Sequence, residues 1–226
     1  MKYLIIIAVA VISYLIGSIN FSIILSRIIS GKDIRESGSG NAGATNMLRT
    51  HGKKMGVITL LLDVAKGIAA ILIAIYIKKI IWNGDILYEQ RSVIDYHFEN
   101  ILQSLSYIAG VCVILGHNFP LYFGFKGGKG VATSLGVVLM LDWKVGLIVA
   151  VCAVAVMAIT RYVSLGSILG GAAYIIAQIV KAVVKGEYNI IQLVCVVIIG
   201  GLLIVRHHAN IKRLLNGTEN KLGAKK

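Results

Sequence analysis

The sequence predicts an all-α polytopic membrane protein: about seven transmembrane helices, with cytoplasm-facing Gly-rich loops that together form one site. Three observations carry this. Of the 226 residues, 57% are apolar and the mean hydropathy is +0.82, against roughly 45–50% apolar in a soluble domain. The apolar residues fall into runs of bilayer-spanning length. The unusual polar residues recur between these runs, above all in GHNFPLYFGFKGGKGVAT at Gly116–Thr133. One domain over residues 1–226 is expected.

Span 1 is about Tyr3–Ile29. Its apolar run outlasts the 7–15 residues of a signal-peptide core, so an uncleaved helix is expected, long enough for a core of about 30 Å. The polar loop Ser30–Lys54 leads to span 2, about Met55–Ile77. A longer polar loop, Lys78–Asn100, precedes span 3, about Ile101–Leu115. After Gly116–Thr133 comes span 4, about Val131–Leu141, short for a full crossing and open to a kinked or re-entrant reading. Asp142, Trp143 and Lys144 form a tight turn into span 5, about Val145–Thr160, ended by Arg161. Span 6, about Ser164–Val184, carries Gly166 and Gly170 at the spacing of close helix contacts. Span 7 is about Asn189–Val205, and a basic tail follows. Cys112, Cys152 and Cys195 lie within apolar runs and read as packing residues, neither disulfides nor metal ligands.

Net charge is +13. In a soluble protein that would point to nucleic acid. Here the basic residues sit between membrane spans, so they indicate orientation and anionic ligands, and no nucleic-acid partner is expected. Of 23 Lys and Arg, 15 fall on one side of a seven-span layout, seven on the other, and Lys66 inside span 2. The richer side is expected to be cytoplasmic, with the N-terminus outside and the C-terminus inside. If span 4 does not cross, the last three spans invert. This layout brings Ser37–Arg49, Gly116–Thr133, Arg161–Ser167 and Arg206–Arg213 to one face. Polar groups at membrane depth are costly unless they line a cavity. An anion pocket facing the cytoplasm is the expectation.

Within Gly116–Thr133, Gly127, Gly128 and Gly130 surround Lys129. Successive backbone N–H groups in such a turn form a nest for an anion, and lysine adds a full charge. A flexible basic turn touching lipid headgroups is the alternative. The Walker A register fails, because the residue after Lys129 is Gly130 where Ser or Thr is required. Gly38, Gly40 and Gly43 satisfy Gly-x-Gly-x-x-Gly, but membrane spans surround them in place of a βαβ unit, so a nucleotide is not implied. They remain a possible second nest. Asp63 and Lys66 share a helix face at i and i+3. An intramembrane ion pair is favoured, with direct substrate binding as the alternative. His117 beside Asn118 caps or holds the loop, and one of His207 and His208 points into the pocket. No Cys/His/carboxylate cluster suits a metal, and the His-x4-Asp pattern of soluble-type glycerolipid acyltransferases is absent.

The segments GSGNAGATNMLR at Gly38–Arg49, DVAKG at Asp63–Gly67, GHNFPLYFGFKGGKGVAT, RYVSLGS at Arg161–Ser167 and RHHANIKRLLNGTENK at Arg206–Lys221 resemble one family. It is the bacterial membrane acyl-phosphate–glycerol-3-phosphate acyltransferases of the PlsY type. The matches run through nearly the whole chain in the family's order. The loop Lys78–Asn100 is longer than the family's. The resemblance implies seven helices in the bacterial cytoplasmic membrane and a cytoplasmic active site. It implies acyl transfer from acyl phosphate to the C1 hydroxyl of glycerol 3-phosphate, giving lysophosphatidic acid and phosphate, with no cofactor. Residues matching the family's site are Ser39, Thr45, Arg49, Lys129, Ser164, His207 and Asn210. Gly40 and Asn41 of the first loop join them as substrate ligands, and a monomer is expected.

The chemistry of these residue types agrees. Arg49 suits a bidentate grip on phosphate and Lys129 acts as a point charge. Ser39, Thr45, Ser164 and Asn210 supply neutral hydrogen bonds. An acyl phosphate carries its own leaving group, so positioning and electrostatics account for the rate. His207 as general base and a substrate phosphate oxygen as proton acceptor are both open; the second is favoured. A carrier for a phosphorylated solute is the competing class, though no inverted repeat supports it.

Overall fold

The computed structural model describes residues 2–83, 96–186 and 189–223. Span 1 is two helices, α1 (Lys2–Ser18) and α2 (Phe21–Ser30). Asn20 breaks it, its side-chain oxygen accepting from Ile23 N at 3.3 Å to start α2. The segment read as the loop Ser30–Lys54 holds a 3₁₀ turn at Ile34–Glu36 and becomes helical from Ala44. Helix α3 (Ala44–Asn83) is interrupted at Gly52, whose φ of 85° leaves the helical region. Lys78–Asn83 thus belongs to α3, and residues 84–95 of the long loop lie outside the described residues.

Span 3 comprises α4 (Tyr96–Gln103) and α5 (Leu105–Asn118), so Gly116, His117 and Asn118 form a last helical turn where a loop was expected. Short α6 (Val131–Leu141) meets α7 (Trp143–Thr160) at Asp142 alone, which caps α7 by accepting from Val145 N at 3.2 Å. Trp143 and Lys144 are therefore helical. Helices α8 (Val163–Lys185) and α9 (Ile190–Arg206) follow, and the tail begins with α10 (His208–Leu215), bent 53° from α9.

Side-chain contacts define two ends. At one, Ser104 Oγ donates to Asn189 Oδ1 at 3.2 Å, and Lys181 pairs with Asp142. At the other, Arg35 holds the carbonyls of Phe123 and Lys126, and Ser164 meets Glu219. Helix α6 leaves that second end and α7 returns to it, since Arg161 closes α7 against Leu222. Among the described residues, five helices are long and apolar enough to cross a bilayer, or six if the bent α9–α10 pair counts as one. Helix α6, with 11 residues, rises only about 16 Å.

Tight crossings replace water-driven packing, as membrane helices require. A Cβ on Gly67 of α3 would lie 2.4 Å from Thr133 O of α6, and one on Gly136 of α6 only 2.3 Å from Val64 O of α3. Each glycine therefore admits the other helix's backbone. Gly166 and Gly170 similarly face Ala153 of α7. The core between these crossings is apolar, with Val9, Ile71, Ala109, Val113, Val137 and Ile199 buried. Helix α7 buries only Gly146 and is apolar from Val145 to Ile159, as suits a lipid-facing helix.

Candidate active site

The Gly-rich loop is shaped from below. Gly127 N donates to Asn118 O and Gly128 N to His117 O, each at 3.2 Å. These two amides are thus spent inside the protein, and the anion nest expected of them does not form. Space is what demands glycine here. A Cβ on Gly128 would lie 2.2 Å from His117 Nε2 and 2.4 Å from Ala42 O. The backbone of the first Gly-rich loop therefore rests directly on the second. Gly130, at φ 83°, turns the chain into α6, whose first amides lack intrahelical acceptors and open beside Lys129.

His117 is held in turn. Lys66 Nζ lies 3.0 Å from His117 Nδ1 and donates to Gly17 O at 3.0 Å and Ile19 O at 2.7 Å. Those carbonyls are released by the break between α1 and α2. Lys66 also forms an ion pair with Asp63, its Nζ 3.0 Å from Oδ1. Both side chains are almost fully buried, at 3% and 1% exposure. The i, i+3 pair thus exists, and it bolts a broken helix to the base of the loop.

A second clasp joins the loops at the surface. Asp33 accepts from Arg35 Nε at 3.0 Å and Nη2 at 2.9 Å, and from Arg27 at 2.8 Å. Burial opposes its ionisation, yet the bonds from Arg35 and Arg27 prevail and its pKa falls to about 2. Arg35 Nη1 then reaches Phe123 O and Lys126 O, both at 2.8 Å. Buried Asn46 shapes the first loop, accepting from Ser39 N at 2.9 Å and donating to Ile34 O and Ser37 O. Ser39 and Gly40 are exposed; Asn41 and Thr45 are half-buried. The Lys129 ammonium hydrogen-bonds elsewhere.

Lys129 instead joins the tail. Its ammonium donates to Asn210 Oδ1. Asn210 Nδ2 donates to Glu219 Oε1 at 2.7 Å, and Ser164 Oγ to the same oxygen at 2.8 Å. Arg213 Nε donates to Glu219 Oε2 at 2.7 Å. Three sequence-predicted residues, Lys129, Ser164 and Asn210, therefore converge through Glu219. Arg49 reaches the neighbouring Asn220 O at 3.4 Å. The strap 216–223 is pinned further on, where Leu222 N donates to Arg161 O at 2.7 Å and Arg161 Nη2 donates to Leu222 O at 2.9 Å. Buried His207 has Nδ1 2.7 Å from Leu203 O, which assigns the proton to Nδ1. His208 is exposed.

Burial is the main cause that pushes Lys129 down to about 8; Glu219 opposes it, and Arg213, Arg49 and Arg206 add to it. For Glu219, burial again opposes ionisation, but the bonds from Asn210, Arg213 and Ser164 hold its carboxyl below the usual range. Sequence reasoning did not single out Glu219, Asp33, Arg35, Asn46 or Arg206. Glu219 had a signal: it is the lone acid in a tail carrying Lys212, Arg213 and Lys221. Asn46 had none, because only the fold shows what it bonds. Among the described residues, no three His, Cys, Asp or Glu side chains gather as a metal site.

A family model described as glycerol-3-phosphate acyltransferase matches residues 7–217. The glycerol-3-phosphate acyltransferase of Clostridioides difficile (strain 630) is 42% identical over 221 residues, 97% of each chain. That of Shouchella clausii (strain KSM-K16) is 42% identical over 219 residues, again 97% of each. Two crystal structures of PlsY (YgiH), an integral membrane glycerol 3-phosphate acyltransferase, share the fold. The glycerol 3-phosphate form aligns with TM-score 0.77 at 35% identity, over 96% of each chain. The lysophosphatidic acid form gives 0.72 at 34% identity, over 96% of this chain and 95% of the other. Matched by the family model over residues 7–217 and by a relative 42% identical over 97% of its length, the chain belongs to the glycerol-3-phosphate acyltransferase family.

Proposed function

We propose that the protein transfers a fatty acyl group from acyl phosphate to the C1 hydroxyl of glycerol 3-phosphate. The products are 1-acyl-glycerol 3-phosphate and inorganic phosphate, the first acylation of phospholipid synthesis. The observation that carries this reading is one cluster: Ser164, Asn210 and Arg213 donate to the Glu219 carboxylate, Lys129 donates to Asn210, and Arg49 reaches the adjoining residue of the strap. A carboxylate held by one cation and several neutral donors marks a setting suited to anions. Two phosphorylated substrates repel each other, and Arg49, Lys129 and the α6 N-terminus offset that repulsion. Ser39, Gly40, Asn41 and Thr45 line the approach as hydrogen-bonding groups for substrate. Gly127, Gly128 and Gly130 let the loop close without side chains, and Asp63, Lys66 and His117 support it from within.

In the reaction, the C1 oxygen attacks the acyl carbonyl carbon and the bond to phosphate oxygen breaks. The hydroxyl proton passes to a phosphate oxygen of the substrate. His207 keeps its Nε2 lone pair free to accept from a substrate hydroxyl, because Nδ1–H is engaged by Leu203 O. Positioning and electrostatic stabilisation supply the rate. The orientation that fits is an outer N-terminus, with the C-terminus and this site cytoplasmic, in a protein acting as a monomer.

Purified protein given acyl phosphate and glycerol 3-phosphate should release phosphate and form the monoacyl product. The rate should survive dialysis against a chelator, and acyl-CoA should be a poor donor. A clear preference for acyl-CoA would overturn the donor assignment.

A further inference from the structure

Arg206 closes α9 and lies across the Gly-rich loop. Its Nε and Nη2 donate to Gly128 O at 3.3 and 2.9 Å, and Nη2 makes a longer contact of 3.5 Å to Asn118 O. The guanidinium lies 4.9 Å from the centre of the Phe119 ring, so the fork is held flat by a second contact. Gly128 is thereby gripped from two sides. Below it are His117 Nε2 and Ala42 O, too close to admit a Cβ. Beside it is Arg206, bound to its carbonyl. That carbonyl belongs to the peptide unit that continues into Lys129, and the unit is planar. Fixing the carbonyl fixes the plane and with it the position of the Lys129 Cα, so that rotation about N–Cα is the backbone freedom left to set where its side chain starts. The loop has no apolar anchor of its own at this point: Gly127, Gly128 and Gly130 flank Lys129.

We infer that Arg206 is a positioning residue for the acyl transfer: its hold on the Gly128 carbonyl aims Lys129 at Asn210. The inference rests on the acyltransferase reading of the site. It requires the fork itself. A lysine here keeps the charge but binds the carbonyl through one movable donor.

The test is a double-mutant cycle on the full-length protein in detergent, using whichever acyl donor the wild type accepts. An error about acyl phosphate then leaves the cycle readable, and an inactive wild type counts against the reaction alone. Rates are measured for Arg206→Gln, Arg206→Lys, Lys129→Ala and the two double variants, with thermal unfolding to establish that each is folded. Arg206→Gln should lower kcat about 10–100-fold, the scale of a small misplacement of a reacting group. Arg206→Lys should recover little of that loss. With Lys129 already removed, either Arg206 change should cost less than about threefold, because neighbours acting through one another are non-additive. If Arg206→Gln does not fold, Arg206→Lys carries the cycle. Losses that multiply in the double variants would overturn the proposal. So would a raised KM for glycerol 3-phosphate with kcat unchanged, which would make Arg206 a direct substrate ligand.

Discussion

Lys129 carries a charge that its surroundings make conditional. Burial and three arginines bring it to about 8, so in the free enzyme the ammonium is lost as pH rises through that value. Its lowered pKa means that the phosphate-binding form is complete at lower pH and depleted above about 8. The pH dependence of kcat/KM reports groups of the free enzyme. It should therefore fall on the alkaline side with an apparent pKa near 8, and Lys129→Arg should flatten that limb because guanidinium stays charged. A wild-type profile level to pH 10 would contradict this. Lys129→Ala and Arg49→Ala should each lose on the order of 10²–10³ in rate, as for a preorganised donor. Arg49→Lys should also be poor, since it loses the fork. Asp63 acts differently. It lies in the bolt beneath the loop, 1% exposed, and breaking a buried pair costs about 3–5 kcal/mol. Asp63→Asn should cut the yield of folded protein while turnover per folded molecule stays near normal; measuring both separates the two roles.

The loops and the strap are rigid because backbone meets backbone, and this can be tested at the scale of the element. Gly128→Ala would drive a methyl into His117 and Ala42 O at about 2 Å, where neither neighbour has room to move. Gly124, at φ 66°, has nothing within 4 Å of a would-be Cβ. Its replacement by alanine bears only the left-handed backbone strain, about 1–2 kcal/mol. Activity and thermal unfolding should thus collapse for Gly128→Ala and change modestly for Gly124→Ala. Equal effects would show that flexibility, not space, is what the loop requires. The strap behaves as a third wall. Glu219 and Leu222 tie it to α8, α10 and the end of α7, so residues beyond α10 border the candidate site.

Across the whole molecule, the two ends differ in kind. One gathers the Gly-rich loops, the strap and Arg35, Arg49 and Arg206; the other gathers Asp142, Lys181, Ser104 and Asn189. In the proposed orientation, which rests on the charge bias, the first faces the cytoplasm. A cysteine at exposed Lys185 should react with an impermeant thiol reagent on intact cells, and one at exposed Asn220 only after lysis. The reverse pattern would invert the assignment. Much of this was legible in the sequence. Apolar runs mark membrane helices because transfer into lipid depends on local composition alone. The five motif segments likewise identify the family, since each is a contiguous string. Tertiary structure decided what those strings bond. Span 1 breaks at Asn20 because Lys66, 49 and 47 residues further on, is there to receive the freed carbonyls of Gly17 and Ile19. Gly127 and Gly128 turn their amides inward because His117 and Asn118 end α5 with carbonyls directly below. Glu219 becomes the centre of the cluster because α8 and α10 deliver Ser164, Asn210 and Arg213 to it. Partition of a run into lipid is a sum over neighbours in the chain, whereas the partner of a buried polar group is chosen by segments far away in it.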